Sequence, residues 1–440
     1  MNKKLAIFGG KPTIENEKDY WNSWPIVNNK DIKDISKILK EKQFSGRDSK
    51  SVKELENNFS RYNNSPYCVA FNSGTAAIHA SLNALDIKKG DEVITTAFSF
   101  IASALPIIYC DASPVFVDID YETFNIDPKL IEEKITTKTK AIVVVHFQGL
   151  PADMGQIVKI AKKYKLKIIE DCAQSTGAEY KNKKVGNFGD YGAFSIMAEK
   201  QLATCGEGGL VTTNSRNKRN NLNKIKMFGE AFDKKGNRFY FSESLGYNYV
   251  LNPIQAKFAS NKLKEYNMKI NKIIKNAKKL SKILEKSSFI VPPKIPNACK
   301  HVFHFYRITI DPSKSSLNLS ASNLRQTIQN ILEKEGISTR HYQTIPLPLQ
   351  PVFFDYLKSK PKFEDYPNTK KAIENTLVIG GNGSAPHYFT NDELIDKYIE
   401  IFEKIEKNKD KIIEYSKKIK YAAPWKKYKG FSDTKSGYFK

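Results

Sequence analysis

Between residues 67 and 215 the chain repeats one pattern: a short, mostly apolar and β-branched run, then a longer stretch of helical character, then another apolar run. Tyr67 to Phe71, Glu92 to Thr96, Pro114 to Asp118, Ala141 to Phe147 and Lys167 to Asp171 read as strands, since such runs suit a strand covered on both faces. Thr75 to Leu85, Phe98 to Tyr109, Pro128 to Lys134 and Asp153 to Tyr164 read as the intervening helices, with Asp153 as N-cap and Gln156 completing a capping box. Repeated strand–helix alternation predicts a parallel or mostly parallel sheet with helices on both faces. Such sheets bind ligands beyond the carboxyl ends of their strands.

After about residue 250 the pattern changes. A long Lys-rich helix is expected from Pro253 to Glu285, with proline in its first turn. A smaller α+β unit follows: a strand over His301 to Ile310, a helix over Ser320 to Lys334, a stop and restart at Gly336-Ile337-Ser338-Thr339, and a helix from Asp392 toward Lys418. The tail from Tyr421 to Lys440 is polar, aromatic and poorly patterned. With 440 residues, two to three domains are expected.

Composition excludes several function classes. The longest nearly apolar run, Ile101 to Cys110, contains Ser103 and Pro106 and is far short of the ~20 residues of a membrane span. Met1-Asn2-Lys3-Lys4 is followed by only Leu5 to Phe8 before Gly9-Gly10-Lys11, so no secretory signal is expected. Cysteines 68, 110, 172, 205 and 299 lack a paired metal spacing, which predicts a reducing, cytoplasmic setting without metal or disulfide frame. The formal charge is +24, but only eight of the 71 basic residues are arginine and the lysines are scattered. A nucleic-acid reader clusters its charge and favours arginine, so the basicity is read as a solvated surface.

The chemistry lies in Glu170-Asp171-Cys172-Ala173-Gln174, Gly189-Asp190-Tyr191-Gly192-Ala193-Phe194-Ser195, Lys200 and Gly206-Glu207-Gly208-Gly209. A carboxylate at a strand end, a serine after a second strand and a lysine in the next loop suit pyridoxal phosphate (PLP). That cofactor needs an amine, an acid for its pyridinium nitrogen, and donors for a dianionic phosphate. Asp171 would serve the ring nitrogen and Lys200 the aldehyde, the lysine then moving protons. Upstream, Asn72-Ser73-Gly74-Thr75-Ala76-Ala77 lies between a strand and a helix, where Gly74, the Thr75 hydroxyl and free N–H groups suit an anion.

From about Leu5 to Lys409 the chain resembles the PLP-dependent sugar aminotransferases of the DegT/DnrJ/EryC1/StrS family. The resemblance rests on the NSGTAA turn, GDEVITTAFSFIASA, PVFVDID, GLPADM, EDCAQSTGAEY, VGNFGDYGAFS with Lys200 and GEGG, GYNY, and GISTRHY followed by Pro346 and Pro348. It implies an α/β, fold type I (aspartate-aminotransferase-like) architecture: a large domain on a mostly parallel seven-stranded sheet, and a smaller α+β C-terminal domain. The implied division is an N-terminal arm over 1–30, a PLP-binding domain over 31–255, a small domain over 256–410 and a tail over 411–440. It also implies that Gly74, Thr75 and Ser195 meet the cofactor phosphate and that Phe100 stacks on the ring. Asp171 then meets the ring nitrogen, Gln174 the ring hydroxyl, and Lys200 is the Schiff-base lysine. Asn248 of Gly246-Tyr247-Asn248-Tyr249 would reach the phosphate of a neighbouring subunit, making a homodimer part of the site. His304 and His341 fall near the expected substrate entrance.

The resemblance further implies L-glutamate or L-glutamine as amino donor and the ring ketone of a keto-sugar, nucleotide-activated, as acceptor, for polysaccharide or secondary-metabolite synthesis. The opening Leu5 to Pro12 with Trp24-Pro25 also looks like the branch of cyclitol (inosose) aminotransferases and aminohydroxybenzoate synthases. A sugar dehydratase, in which histidine replaces the lysine, is opposed by Lys200, and a non-catalytic regulator by the intact Asp171, Gln174 and Ser195. The chain departs from the pattern at Val250, where a basic residue often follows GYNY, and at Glu199 before the lysine. Gly380 to Ser384 and the tail after Lys409 depart as well.

Overall fold

The computed structural model describes residues 4–21, 24–232, 238–316, 318–380 and 387–425. Its main sheet has seven strands: β1 Tyr67–Phe71, β2 Glu92–Thr96, β3 Ser113–Val117, β4 Thr139–Val145, β5 Lys167–Asp171, β6 Tyr191–Ser195 and β7 Gly209–Thr213. They lie in the order β1-β7-β6-β5-β4-β2-β3, and only β7 runs antiparallel to its neighbours. Strands β2 and β7 are buried along their whole length, as a sheet covered on both faces requires.

Turn chemistry sets the helices. Ser73 caps the helix Gly74–Ala84 by accepting from Ala76 N (3.0 Å). Asp153 caps Met154–Tyr164, but Gln156 turns its side-chain amide onto the Asp153 carboxylate (2.6 Å), where a full capping box was expected. Asn252 caps the long helix, which runs Pro253–Leu284 with proline in its first turn.

Several expected elements are shorter or broken. Phe98 to Tyr109 is a 3₁₀ turn, Ile101–Ser103, followed by a short helix, Leu105–Tyr109. Pro106 lacks an N–H and is tolerated only in a first turn, so the helix restarts just before it. Pro128 to Lys134 is two 3₁₀ turns. Ala141 to Phe147 begins earlier and ends at Val145. His301 to Ile310 is a strand only from Tyr306: Phe303 has φ 51°, and Val302 N and His304 N bond to Gly149 O and Gln148 O. The C-terminal helix breaks at Asn408 into Asp392–Lys407 and Lys409–Ser416. In the tail, Tyr421 N donates to Asn323 Oδ1 (3.0 Å) and Trp425 packs on Phe363, with ring centroids 4.7 Å apart. The remainder of that tail, 426–440, and residues 381–384 of the Gly380 to Ser384 departure lie outside the described residues.

The second sheet is antiparallel: β8 Ile290–Val291, β9 Tyr306–Ile310, β10 Thr339–Arg340 and β11 Thr376–Ile379, ordered β8-β9-β11-β10. The largest apolar core is continuous from Leu5 and Phe59 through Leu263 and Tyr306 to Ile405. One buried carboxylate ties the chain ends into it. Glu335 accepts from Ala6 N (2.8 Å), Thr13 N (3.1 Å), Thr13 Oγ1 (3.0 Å) and Lys404 Nζ (2.7 Å).

Candidate active site

The strand register brings the chemistry together. Asp171, the last residue of β5, pairs with Ala193 of β6; two residues on, Ser195 ends β6 opposite Gly209, and Gly209 pairs with Phe71 at the end of β1. The helix that follows β1 therefore starts beside Ser195. A Cβ added to Gly74 would lie 2.7 Å from Ser195 Cβ and 3.2 Å from its Oγ, so only glycine leaves this cradle open. Gly74, Thr75 and Ser195 are all partly exposed, and the helix N-terminus adds N–H groups with no intrahelical partner.

Asp171 is 5 % exposed. Its Oδ2 accepts from Ser103 Oγ (2.7 Å) and its Oδ1 from Ala173 N (3.0 Å), while Ser99 Oγ lies 2.8 Å from Ser103 Oγ. Burial lowers the pKa of Lys200, and the negative charge of Asp171, then of Glu199 and Glu207, opposes that shift. Lysine and carboxylate are thus close enough for their charges to act on one another. The Trp24 indole N–H donates to the Lys200 carbonyl (3.1 Å), pinning the loop that carries the lysine.

Gln174 holds its amide between two partners: Oε1 accepts from Gln148 N (2.8 Å), and Nε2 donates to Tyr342 OH (2.7 Å). Burial pushes the Tyr342 phenol up to about 12. His304 is buried, and its pKa lies well below the ordinary value because of desolvation, then the charges of Lys200 and Arg340. Phe100 is 57 % exposed at the edge of the site. The other two expected residues are His341 and Asn248. His341 faces Arg325, whose Nη2 is 2.5 Å from its Nδ1. Asn248 is exposed beside Phe44, Arg47, Phe228, Arg238 and Val250 in a groove of about 340 Å³; its carbonyl accepts from Asn72 Nδ2 (3.4 Å).

Sequence reasoning missed Ser103, Trp24 and Tyr342 as parts of this site. Each lies inside a motif already noted (FSFIASA, Trp24-Pro25 and STRHY), but no spacing rule points from them to Asp171, Lys200 or Gln174. Behind Asp171, His146, Glu170 and Cys172 bring possible metal-ligand atoms within 4.8 Å of one another. Their lone pairs are already engaged. Glu170 accepts from Gly186 N (2.7 Å), Phe188 N (2.6 Å) and Gly189 N (2.8 Å) and lies 3.1 Å from His146 Nε2; His146 Nδ1 accepts from Ala152 N (3.1 Å). The Cys172 thiol is pushed well up by burial and by the Glu170 and Asp171 charges, so the cluster reads as a hydrogen-bonded support.

The sequence profile of the DegT/DnrJ/EryC1/StrS aminotransferase family matches residues 25–384. The chain belongs to this family. It is 35 % identical over 314 residues to GDP-perosamine synthase of Escherichia coli O157:H7, covering 71 % of this chain and 82 % of the relative. It is 36 % identical over 308 residues to dTDP-3-amino-3,6-dideoxy-alpha-D-galactopyranose transaminase of Aneurinibacillus thermoaerophilus, covering 69 % and 79 %. Its fold matches the X-ray structure of the aminotransferase from Psychrobacter cryohalolentis with TM-score 0.79 and 28 % identity, covering 88 % of this chain and 99 % of that one. As a DegT/DnrJ/EryC1/StrS aminotransferase it is a PLP-dependent enzyme of fold type I, with the seven-stranded, mostly parallel sheet expected. The site suits that cofactor. Gly74 leaves a cradle that a Cβ would fill, Asp171 is a buried carboxylate held by Ser103, and Lys200 is an amine whose proton burial weakens.

Proposed function

We propose that this enzyme moves an amino group from L-glutamate or L-glutamine to the ring ketone of a nucleotide-activated keto-sugar. The observation that carries the reading is the Lys200–Asp171 pair beside the Gly74–Ser195 cradle, in a chain whose relatives' names carry a GDP-linked and a dTDP-linked sugar. PLP, when bound, supplies an aldehyde that exchanges with amines and a ring that withdraws electrons from the substrate carbon. In this reading Gly74, Thr75, Ser195 and the helix N-terminus bind its phosphate. Asp171 holds a negative charge at the ring nitrogen, with Ser103 fixing its Oδ2. Gln174, steadied by Gln148 N and Tyr342 OH, reaches the ring hydroxyl, and Phe100 covers the ring face. Lys200 Nζ carries the amine and then moves a proton at the substrate carbon. Burial makes that task easier, because it brings the amine closer to its neutral form at working pH.

The two-subunit site belongs to the same proposal. Asn248 is exposed, and nearby the hairpin Glu230–Phe232 with Arg238–Ser242 presents Phe239, Tyr240 (80 % exposed) and Phe241 to solvent. An aromatic patch of this kind suits burial against a second copy. Val250 removes one cation from the groove beside Asn248; Arg47 and Arg238 line the same groove, ion-paired with Asp48 and Glu230.

The purified enzyme is expected to be yellow, to bleach with L-glutamate or L-glutamine, and to regain colour with a keto-sugar nucleotide. Regain of colour with a keto-inositol alone would move the enzyme to the cyclitol branch. Mixing inactive Lys200→Ala and Asn248→Asp chains should restore part of the activity, because one site of the hybrid receives both intact residues. Verified hybrids without activity would refute the shared site.

A further inference from the structure

We infer that a monovalent inorganic anion of halide size binds in a small cavity behind the cofactor site, held by Arg307 and Gln148. The cavity is about 20 Å³ and is lined by Phe124, Phe147, Gln148, His301, Phe305 and Arg307 among others. That is room for one water or one monatomic ion, and too little for phosphate or sulfate.

Arg307 and Gln148 are each 4 % exposed. Arg307 Nε donates to Gln148 Oε1 (3.0 Å), and its Nη1 donates to Thr376 Oγ1. The first bond fixes the orientation of the Gln148 amide, since only its oxygen can accept from a guanidinium. Gln148 Nε2 and Arg307 Nη2 are then left buried without a hydrogen-bond partner among the described residues. Two donor nitrogens, brought from the loop after β4 and from β9, are thus unpartnered on residues that line one cavity.

Charge separates an anion from a water. Arg307 lies over the rings of Phe98 (5.3 Å), Phe124 (5.5 Å) and Phe147 (5.8 Å), and the groups that act on it most include two further cations, Arg340 and Arg325, and the phenols of Tyr342 and Tyr121, which are neutral at neutral pH. Among the described residues, no carboxylate is ion-paired with Arg307. Burial brings the guanidinium down to about 9, so it remains a cation at neutral pH. His301 is lowered to about 3 by burial and accepts from Phe303 N through Nδ1 (2.8 Å), so it adds no charge. At the rim Glu122 is ion-paired with Lys294, and the mouth is electrically balanced. A water could accept from both nitrogens but would leave the buried cation uncompensated; a halide does both.

The test uses the full-length holoenzyme. Crystals grown in chloride-free buffer and soaked in sodium bromide should show an anomalous peak within hydrogen-bonding reach of Arg307 Nη2 and Gln148 Nε2. In solution, replacing gluconate by chloride at fixed ionic strength should raise the thermal midpoint by about 2–4 °C. Phosphate should not substitute. Arg307→Met should abolish the chloride dependence, and Gln148→Leu, a milder change that keeps the cation, should weaken apparent chloride affinity about tenfold. A water with no anomalous signal at the site, an unchanged midpoint in chloride, or a chloride dependence that survives both substitutions would each overturn the proposal.

Discussion

Gly74→Ala sets two well-understood effects against each other. Gly74 is the first residue of its helix, where alanine is favoured over glycine by up to about 1 kcal/mol. The new methyl, however, would sit 2.7 Å from Ser195 Cβ and 3.2 Å from Ser195 Cα, against ~3.5–4.0 Å for an ordinary carbon contact. Ser195 is held by its pairing with Gly209, so the helix start must move, and overpacking of this kind costs about 1–3 kcal/mol. The apo enzyme should therefore lose only about 0–3 kcal/mol of stability. Cofactor affinity should suffer more. Moving the Ser195 hydroxyl and the helix N–H groups off a phosphate forfeits a charge-assisted hydrogen bond of about 1.5–3 kcal/mol, roughly 10- to 100-fold in affinity. Urea unfolding of the apo form and fluorescence titration with PLP measure the two effects separately. The double variant Gly74→Ala/Ser195→Gly removes the collision but also the hydroxyl, so stability should recover beyond the sum of the single changes while affinity stays low. Wild-type PLP affinity in Gly74→Ala, or strict additivity of stability in the cycle, would refute the argument.

Borohydride reduction followed by peptide mapping should place the pyridoxyl group on Lys200, and a label on another lysine would reject the assignment. Because burial lowers its folded pKa below the ordinary 10.5, apo-enzyme stability relative to Lys200→Met should rise as pH climbs through the window between the lowered value and 10.5; a flat difference would count against a buried amine. Asp171→Asn should keep PLP bound but slow the glutamate half-reaction by ~10²-fold or more in stopped-flow absorbance, and Ser103→Ala by about tenfold. Lys262→Met should destabilise the fold by about 3 kcal/mol, because it strips the ammonium from the buried Asp31. Burial alone would raise the Asp31 pKa, yet hydrogen bonds from Lys262, the Asn28 backbone region and Asn261 hold it below the usual range. The contribution is therefore present at neutral pH and fades as pH falls through that depressed value, so acid melts of the two proteins should converge.

The strands of the main sheet were legible because a strand buried on both faces must be written as a compact β-branched run, as in Ile168-Ile169 or Val143-Val144-Val145. The Gly74 turn, Asp171 and Lys200 stand out in the sequence as a set because a glycine turn after β1, a carboxylate ending β5 and a lysine in the loop after β6 suit the needs of one cofactor in chain order. What escaped was contact between distant segments. Ser103 reaches Asp171 across 68 residues and Trp24 reaches Lys200 across 176, and neither hydrogen bond leaves a periodicity in the chain. The shortened strand before Ile310 escaped for a similar reason: Val302 and His304 bond to the loop at Gln148 and Gly149 instead of to a neighbouring strand.

The Glu335 clamp has a bearing on the order in which the molecule can be assembled during its synthesis. Thr13 waits 322 residues for the carboxylate that receives its N–H, and Lys404, which neutralises that carboxylate, emerges later still. At ~5–20 residues per second the interval from Thr13 to Glu335 is roughly 15–65 s. Throughout it Thr13 lacks the carboxylate that receives its N–H. Trp24 follows closely on that segment, and its indole grips the carbonyl of Lys200. The nascent enzyme can thus complete its central sheet well before its lysine loop is locked, and residues 6 to 24 are fastened down only after the sheet they flank.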